Sequence, residues 1–369
     1  MAAQTEVPWP TIAFPVLAAA FVVASEFLHV DSGLAASFAL SLTVSTVMIV
    51  VMLGAIFAAV HHADVIAHRM GEPGGTLVLT LAVTVIEVSL IESIVFKQNT
   101  PPTLTRDTVF SVIMIVCNGL VGLCVLLGAL RYREQEFQTS GTSVYFNVLG
   151  ALSILTLVLP NYTLTTPGPY FSTAQLIFVS VITVILYGTF LFIQTSLHAN
   201  YFRAEEKTAA GGASDYPSNR VVAASVILLL LALFGVVLIA EKFAVIVEDG
   251  LDYVGAPPAV AGIVIAIIVL APESISAVRA ARRDVLQKSL NIALGSSLAT
   301  IGLTVPAVAI TNVALGRQLA LGLTPRDTLL LALTFFLSLL TFGSGRTNIL
   351  AGLVHLVVFA TFIFLVFVP

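Results

Sequence analysis

Apolar residues in this chain come in long blocks separated by short polar breaks. Eleven blocks can be read, at about 11–30, 34–60, 74–96, 107–130, 145–160, 172–196, 220–242, 257–280, 288–314, 327–342 and 347–367. Barrel strands would alternate polar and apolar positions, and these blocks do not, so each predicts a transmembrane α-helix. The longest polar break, "HANYFRAEEKTAAGGASDYPSNR", follows the sixth block, and its Gly, Ala, Ser and Pro content predicts a linker. The predicted class is an all-α membrane protein of about eleven transmembrane helices. An N-terminal helix occupies residues 1–33, a first group of five helices 34–196, a cytoplasmic linker 197–219, and a second group of five 220–369.

Composition agrees with this pattern. The chain is 369 residues long, 58% hydrophobic and only 10% charged, where a soluble domain carries about 25% charged residues. No stretch between blocks is long enough for a soluble catalytic domain, and the N-terminus lacks the basic stretch of a cleavable signal. Cys117 and Cys124, seven residues apart on one helix, would lie about 10 Å apart, too far for a disulfide, and are read as packing residues.

Charge matters through its distribution. Loops on the N-terminal side of the predicted spans hold eleven Lys and Arg residues, among them Arg69, Arg131, Arg282 and Arg283; the opposite loops hold five. The positive-inside rule then places the N-terminus in the cytoplasm and the C-terminus outside.

The two groups of five resemble each other. The second helix of the first group carries "VTVIEVSLI", and the second helix of the other carries "IIVLAPESISAV". Each holds one glutamate, Glu87 or Glu273, well inside the block and followed by a serine. The next helix in each group is rich in small and polar residues: "SVIMIVCNGLVGL" and "SLNIALGSSLATIGLTVP". Five helices per repeat turn the second copy upside down, the inverted repeat common in secondary transporters. Each glutamate then enters from an opposite face and ends near the midplane, so the two are expected to face one another.

Two such carboxylates cannot both ionise cheaply in low dielectric; protons or a cation must neutralise them. Hard cations such as Ca²⁺ take about six to eight oxygens from carboxylates, carbonyls and hydroxyls. Asn118, Ser296, Ser297 and Thr300 are the candidate neighbours, and Pro272, before Glu273, can free a backbone carbonyl. Thr84, Ser89 and Glu92 are candidate path residues beside Glu87, although Glu92 points to another side of the helix and nearer its outer end. Competition between protons and a cation for the same oxygens is an antiport mechanism. One membrane glutamate is readily a protonated structural residue; two at matching places argue against that.

Other features carry less. Glu26 and Glu241 are read as interfacial. His61, Asp64 and His68 share a helical stripe at the cytoplasmic edge but lack a fourth metal ligand. His355, inside the last block, is read as hydrogen-bonded to a neighbouring helix, and the roles of His61, His62 and His68 stay open.

"GEPGGTLVLTLAVTVIEVSLI", "LAPESISAVRAARRDVLQKSLNIALGSSLATIGLTVPAVA" and "SGRTNILAGLVHL" resemble bacterial calcium/proton antiporters of the cation/calcium exchanger superfamily. The likeness runs from about residue 54 to the end. It implies one extra helix plus two inverted five-helix repeats, with Glu87 and Glu273 as the ion-binding acids and Gly295–Ser297 facing the second acid. Many exchangers of this superfamily carry Gly-Asn shortly before the acid, whereas this chain has "TVIE" and "LAPE". The expected function is export of Ca²⁺ against H⁺, both cargo, with no cofactor and no nucleic acid. Na⁺/H⁺ or K⁺/H⁺ exchange is the near alternative, and a non-transporting membrane receptor or enzyme the distant one.

The charge tally makes a topological prediction. A reporter active only outside the cell should work when fused after Pro369 and fail when placed in the linker near Gly211. The opposite pattern would overturn both the orientation and the odd number of spans.

Overall fold

The computed structural model describes residues 8–27, 38–71, 74–95, 102–202 and 217–368. Most of the predicted linker, with Arg203 and Lys207, lies outside them. Eleven helices are described: α1 (Trp9–Phe27), α2 (Phe38–Met70), α3 (Gly74–Val95), α4 (Leu104–Tyr132), α5 (Thr139–Tyr162), α6 (Thr173–Leu197), α7 (Asn219–Val254), α8 (Ala259–Ala281), α9 (Leu286–Ala314), α10 (Pro325–Phe342) and α11 (Ile349–Phe367). All but α1 are long and apolar enough over their described residues to cross a membrane, and α1 is a shorter apolar helix.

Two helices run further than hydropathy predicts. The second continues through "HHADVIAHRM" to Met70, because nothing in that polar stretch breaks a helix until Gly71. There the backbone turns left-handed (φ 68°) and the amide closes on the Ala67 carbonyl at 3.0 Å, a glycine C-cap. The seventh passes Glu241, predicted near its end, and reaches Val254 before Gly255 (φ 63°) and two prolines stop it. Glu241 is exposed on its side.

The chain divides into two compact units that do not follow the sequence halves. The first comprises residues 1–99 with 210–255, and so α1, α2, α3 and α7. Its helices approach through small residues: a Cβ on Gly54 would strike the Phe14 ring, and one on Gly235 would come within 2.8 Å of the Ala18 Cβ. His62, fully buried, ties three of these helices together, with Nε2 2.9 Å from the Thr11 carbonyl and Nδ1 3.2 Å from Ser225 Oγ. Facing a carbonyl, Nε2 carries the hydrogen, so Nδ1 of the neutral ring accepts from Ser225.

The second unit comprises residues 100–209 with 256–369. Here α4 packs against α8 on one side and α11 on another. Both crossings depend on glycine: a Cβ on Gly262 would sit 2.8 Å from the Thr108 amide nitrogen, and one on Gly352 would sit 2.7 Å from that of Leu126. A two-residue antiparallel pairing, Gln135–Glu136 with Arg346–Thr347, joins the end of α4 to the start of α11 and was not foreseen. Four helices contain a π-turn: Ile115–Leu120 in α4, Ile154–Val158 in α5, Ile193–Leu197 in α6 and Thr300–Thr304 in α9. Cys117 and Cys124 are buried and unbridged.

Gly352 and Gly188 make a paired test. Gly352→Ala pushes a methyl group into backbone atoms of α4, whereas a Cβ on Gly188 would meet nothing within 4 Å. In detergent, Gly352→Ala should lower the melting temperature by several degrees, an effect of about 2 kcal/mol, and Gly188→Ala should hold or raise it.

Candidate functional site

Each predicted acid is best described within its own unit. In the first, Glu87 lies on α3 and is only 2% exposed. Thr76, Thr80, Thr84 and Glu87 recur at helical spacing and form one narrow polar stripe on an otherwise apolar helix. Glu92, predicted nearer the outer end, is also buried, at 7% exposure. Of the hydroxyls beside Glu87, Ser89 is spent on the Val85 carbonyl of its own helix. Thr84, one turn before Glu87 and on the same face, has a buried Oγ1 with no protein partner.

In the second unit Glu273 lies on α8 directly after Pro272, which stands inside the helix. A proline there has no N–H for the carbonyl four residues earlier, that of Ile268, and its ring pushes that carbonyl aside. Glu273 Oε2 is buried with no protein partner. The hairpin of α8 and α9 fixes what lies beside it. Ser289 Oγ donates to the Ala277 carbonyl at 2.7 Å, pinning α9 to α8 one turn beyond Glu273. Counting along two antiparallel helices from that bond, Glu273 is level with Ala293, and Ser297 lies about 6 Å further on. A helical side chain leans toward its own N-terminus, so the Glu273 carboxyl leans toward the level of Ser297.

Ser297 is fully buried, and its Oγ also lacks a protein partner. Ser296 is half-buried. Thr300, at the start of the π-turn of α9, donates to the Ser296 carbonyl at 3.2 Å. An unpaired buried oxygen costs a few kcal/mol. A carboxyl oxygen, a hydroxyl and a displaced carbonyl on facing helices can all be satisfied by a proton, a water or a cation.

Asn118, expected to neighbour an acid, spends its side chain on two other helices of its unit. Its amide nitrogen donates to Thr334 Oγ1 at 2.8 Å, and its Oδ1 lies 3.1 Å from His355 Nδ1. His355 does bond neighbouring helices, as its sequence position suggested. Among the described residues no three of His, Cys, Asp and Glu stand close enough to hold a metal, so the stripe of His61, Asp64 and His68 does not close into a site. Sequence reasoning missed the partners Thr334 and Thr341: the first lies 216 residues from Asn118, and the second, 14 residues from His355, sits on the preceding helix.

Known proteins bear on the same residues. The profile of the family described as "Sodium/calcium exchanger protein" matches residues 40–196 and 224–368, one stretch in each half. The chain is 44% identical over 320 residues to the putative ionic transporter y4hA of Sinorhizobium fredii, covering 86% of this chain and 87% of that one. It is 35% identical over 329 residues to the sodium-potassium/proton antiporter ChaA of Escherichia coli, covering 88% and 89%. A Ca(2+)/H(+) antiporter of Aphanothece halophytica is 22% identical over 263 residues, covering 68% and 69%. Among solved structures, native YfkE superposes with a TM-score of 0.69 at 19% identity, covering 96% of this chain and all of that one. That last likeness concerns the fold alone. Glu87 and Glu273 each fall within one of the two matched stretches.

Pro272 gives this site a separable test. Pro272→Ala restores the N–H that would pair the Ile268 carbonyl. Thermal stability should hold or rise, while the apparent affinity for the transported cation falls several-fold. Unchanged affinity would remove that carbonyl from the site.

Proposed function

Because the chain belongs to the sodium/calcium exchanger family, we propose that it is a proton-coupled cation antiporter of the bacterial inner membrane in which Glu87 and Glu273 alternate between protons and a cation. The observation that carries this reading is a glutamate with a buried carboxyl oxygen in the second helix of each matched stretch, each beside a buried hydroxyl oxygen without a protein partner. A carboxylate so far from water is stable only when neutralised. A proton does this by bonding to it; a cation does it by coordination and recruits nearby oxygens. Ser297, Thr84 and the Ile268 carbonyl are the nearest candidates, and Ser296 and Thr300 lie on the same stretch of α9. The two fillings exclude one another, so proton entry on one face releases the cation there, and proton loss on the other admits the next.

We take Ca²⁺ as the first cargo. Two carboxylates balance one divalent ion in one state and two protons in the other, with no net charge left in the membrane. The second reading is Na⁺ or K⁺ exchange, favoured by the 35% identity to a sodium-potassium/proton antiporter over most of both chains. One carboxylate suffices for that exchange. With the N-terminus in the cytoplasm, cation export accompanies proton entry. The family and fold are those of transporters rather than enzymes.

Everted vesicles energised with a proton gradient separate these readings. Uptake of ⁴⁵Ca²⁺, ²²Na⁺ and ⁸⁶Rb⁺ would be compared for the wild type, Glu87→Gln and Glu273→Gln, with protein levels checked in parallel. Each glutamine keeps the size of the acid but removes its charge, so each variant should lose proton-driven ⁴⁵Ca²⁺ uptake while remaining folded. Normal uptake by either variant at wild-type abundance would remove that residue from the site. Apparent cation affinity should rise with pH, because losing protons from the shared carboxylates favours the cation. An affinity flat from about pH 6 to 9 would mean that protons travel elsewhere.

A further inference from the structure

The π-turn of α4 leaves a backbone group that an α-helix would have paired. The amide of Val121 bonds to the carbonyls of Val116 and Asn118, five and three residues earlier. The Cys117 carbonyl, four residues earlier, is passed over. Cys117 is fully buried in a membrane-spanning helix, where an unpaired carbonyl is costly.

His355 of α11 stands against this place. It is fully buried. Nδ1 lies 3.1 Å from Asn118 Oδ1, and Nε2 lies 3.1 Å from Thr341 Oγ1. The surrounding bonds assign its hydrogen. The Thr334 hydroxyl donates to the Leu330 carbonyl at 2.8 Å, so its oxygen accepts from the Asn118 amide nitrogen. Asn118 Oδ1 is therefore turned toward His355, Nδ1 carries the hydrogen, and Nε2 accepts from Thr341. Space for the ring depends on Gly122, where a Cβ would come within 2.9 Å of the His355 Cβ.

We propose that His355 is a positioning residue for transport. Its Nδ1–H meets Asn118 Oδ1 on the π-turn of α4, and so holds that turn in the form that packs against α8, the helix of Glu273. α4 has α11 on one side and α8 on another, and the π-turn itself touches both. Asn118 then belongs to this latch on the α10 and α11 side, and its carbonyl oxygen is committed to His355 rather than to a cation. The inference rests on Glu273 being a transport carboxylate.

Three variants test it. His355→Asn keeps an N–H where Nδ1 stands but cannot carry a titrating proton; His355→Leu removes the donor; Thr341→Val removes only the partner of Nε2. For each, cation K0.5, maximal rate and pH profile are measured in vesicles, together with hydrogen–deuterium exchange of the peptide spanning residues 112–124. His355→Leu should raise K0.5 or lower the rate by at least about ten-fold and speed exchange in that peptide, because it strands a buried carbonyl. His355→Asn should stay within about three-fold of wild type, with an unchanged pH profile, as should Thr341→Val. Wild-type transport and exchange in His355→Leu would overturn the proposal. So would equal damage in His355→Asn, which would mark the imidazole as a proton carrier. Normal transport by Glu273→Gln would sink the carboxylate reading by itself, while the exchange comparison would still decide whether His355 holds the π-turn.

Discussion

Hydrocarbon offers a backbone no hydrogen bonds, so a chain that crosses it must satisfy every amide and carbonyl from within. Regular α-helices do this automatically, and most of each helix here is regular. The departures are therefore informative. Four π-turns and one internal proline in α8 each release a carbonyl that the regular pattern would have used. Two of the π-turns fall in α4 and α9, the third helices of the two groups that follow α1. The proline stands directly before Glu273. Two of the four π-turns, those of α4 and α9, thus lie on helices that pack against α8, the helix of Glu273.

The same constraint sorts the polar side chains. Most buried hydroxyls serve themselves: Thr108, Ser153, Thr156 and Thr183 each donate to the carbonyl four residues back on their own helix. Acids at helix starts are matched with bases. Asp107 is held by Arg106 at 2.7 Å and by Thr103 at 3.0 Å, and Asp327 by Arg326 at 3.1 Å and by Thr324 at 2.7 Å. Glu273 and Ser297 follow neither pattern, since each keeps a buried oxygen that no protein group meets, as do the hydroxyls of Thr84, Thr105, Ser180, Ser338 and Thr347. What sets Glu273 apart from these hydroxyls is that its group can carry a charge.

Much of this was legible in the sequence, for a definite reason. Spanning helices declare themselves by hydropathy, and a glutamate inside such a block is conspicuous because its cost has no local relief. Helix ends were less legible. The second and seventh helices carry polar residues past the membrane-length core, and only a left-handed glycine, Gly71 or Gly255, marks where they stop. The π-turns left no signature: "IVCNGL" and "TIGLT" share little beyond small and apolar residues. The bond between Asn118 and His355 joins residues 237 apart, so it could be seen only once α11 was laid against α4. Asn118 looked like a candidate ligand for the same reason that it makes a good latch, being an amide at membrane depth that must be spent on something.

What it is spent on bears on the cargo. Ca²⁺ takes about six to eight oxygens, whereas a monovalent ion is held by fewer and weaker contacts. With Asn118 committed to His355, the second unit offers the Glu273 carboxylate, the Ser297 hydroxyl and the carbonyl released by Pro272, which falls short of that number. In the proposed exchange, charge balance asks a divalent cargo for two acids and a monovalent cargo for one. Selectivity among Ca²⁺, Na⁺ and K⁺ would then follow the number of acids neutralised in one cycle. The glutamate in each half is what keeps the divalent option open, and a chain with only one could exchange a monovalent ion for a proton but could not neutralise Ca²⁺.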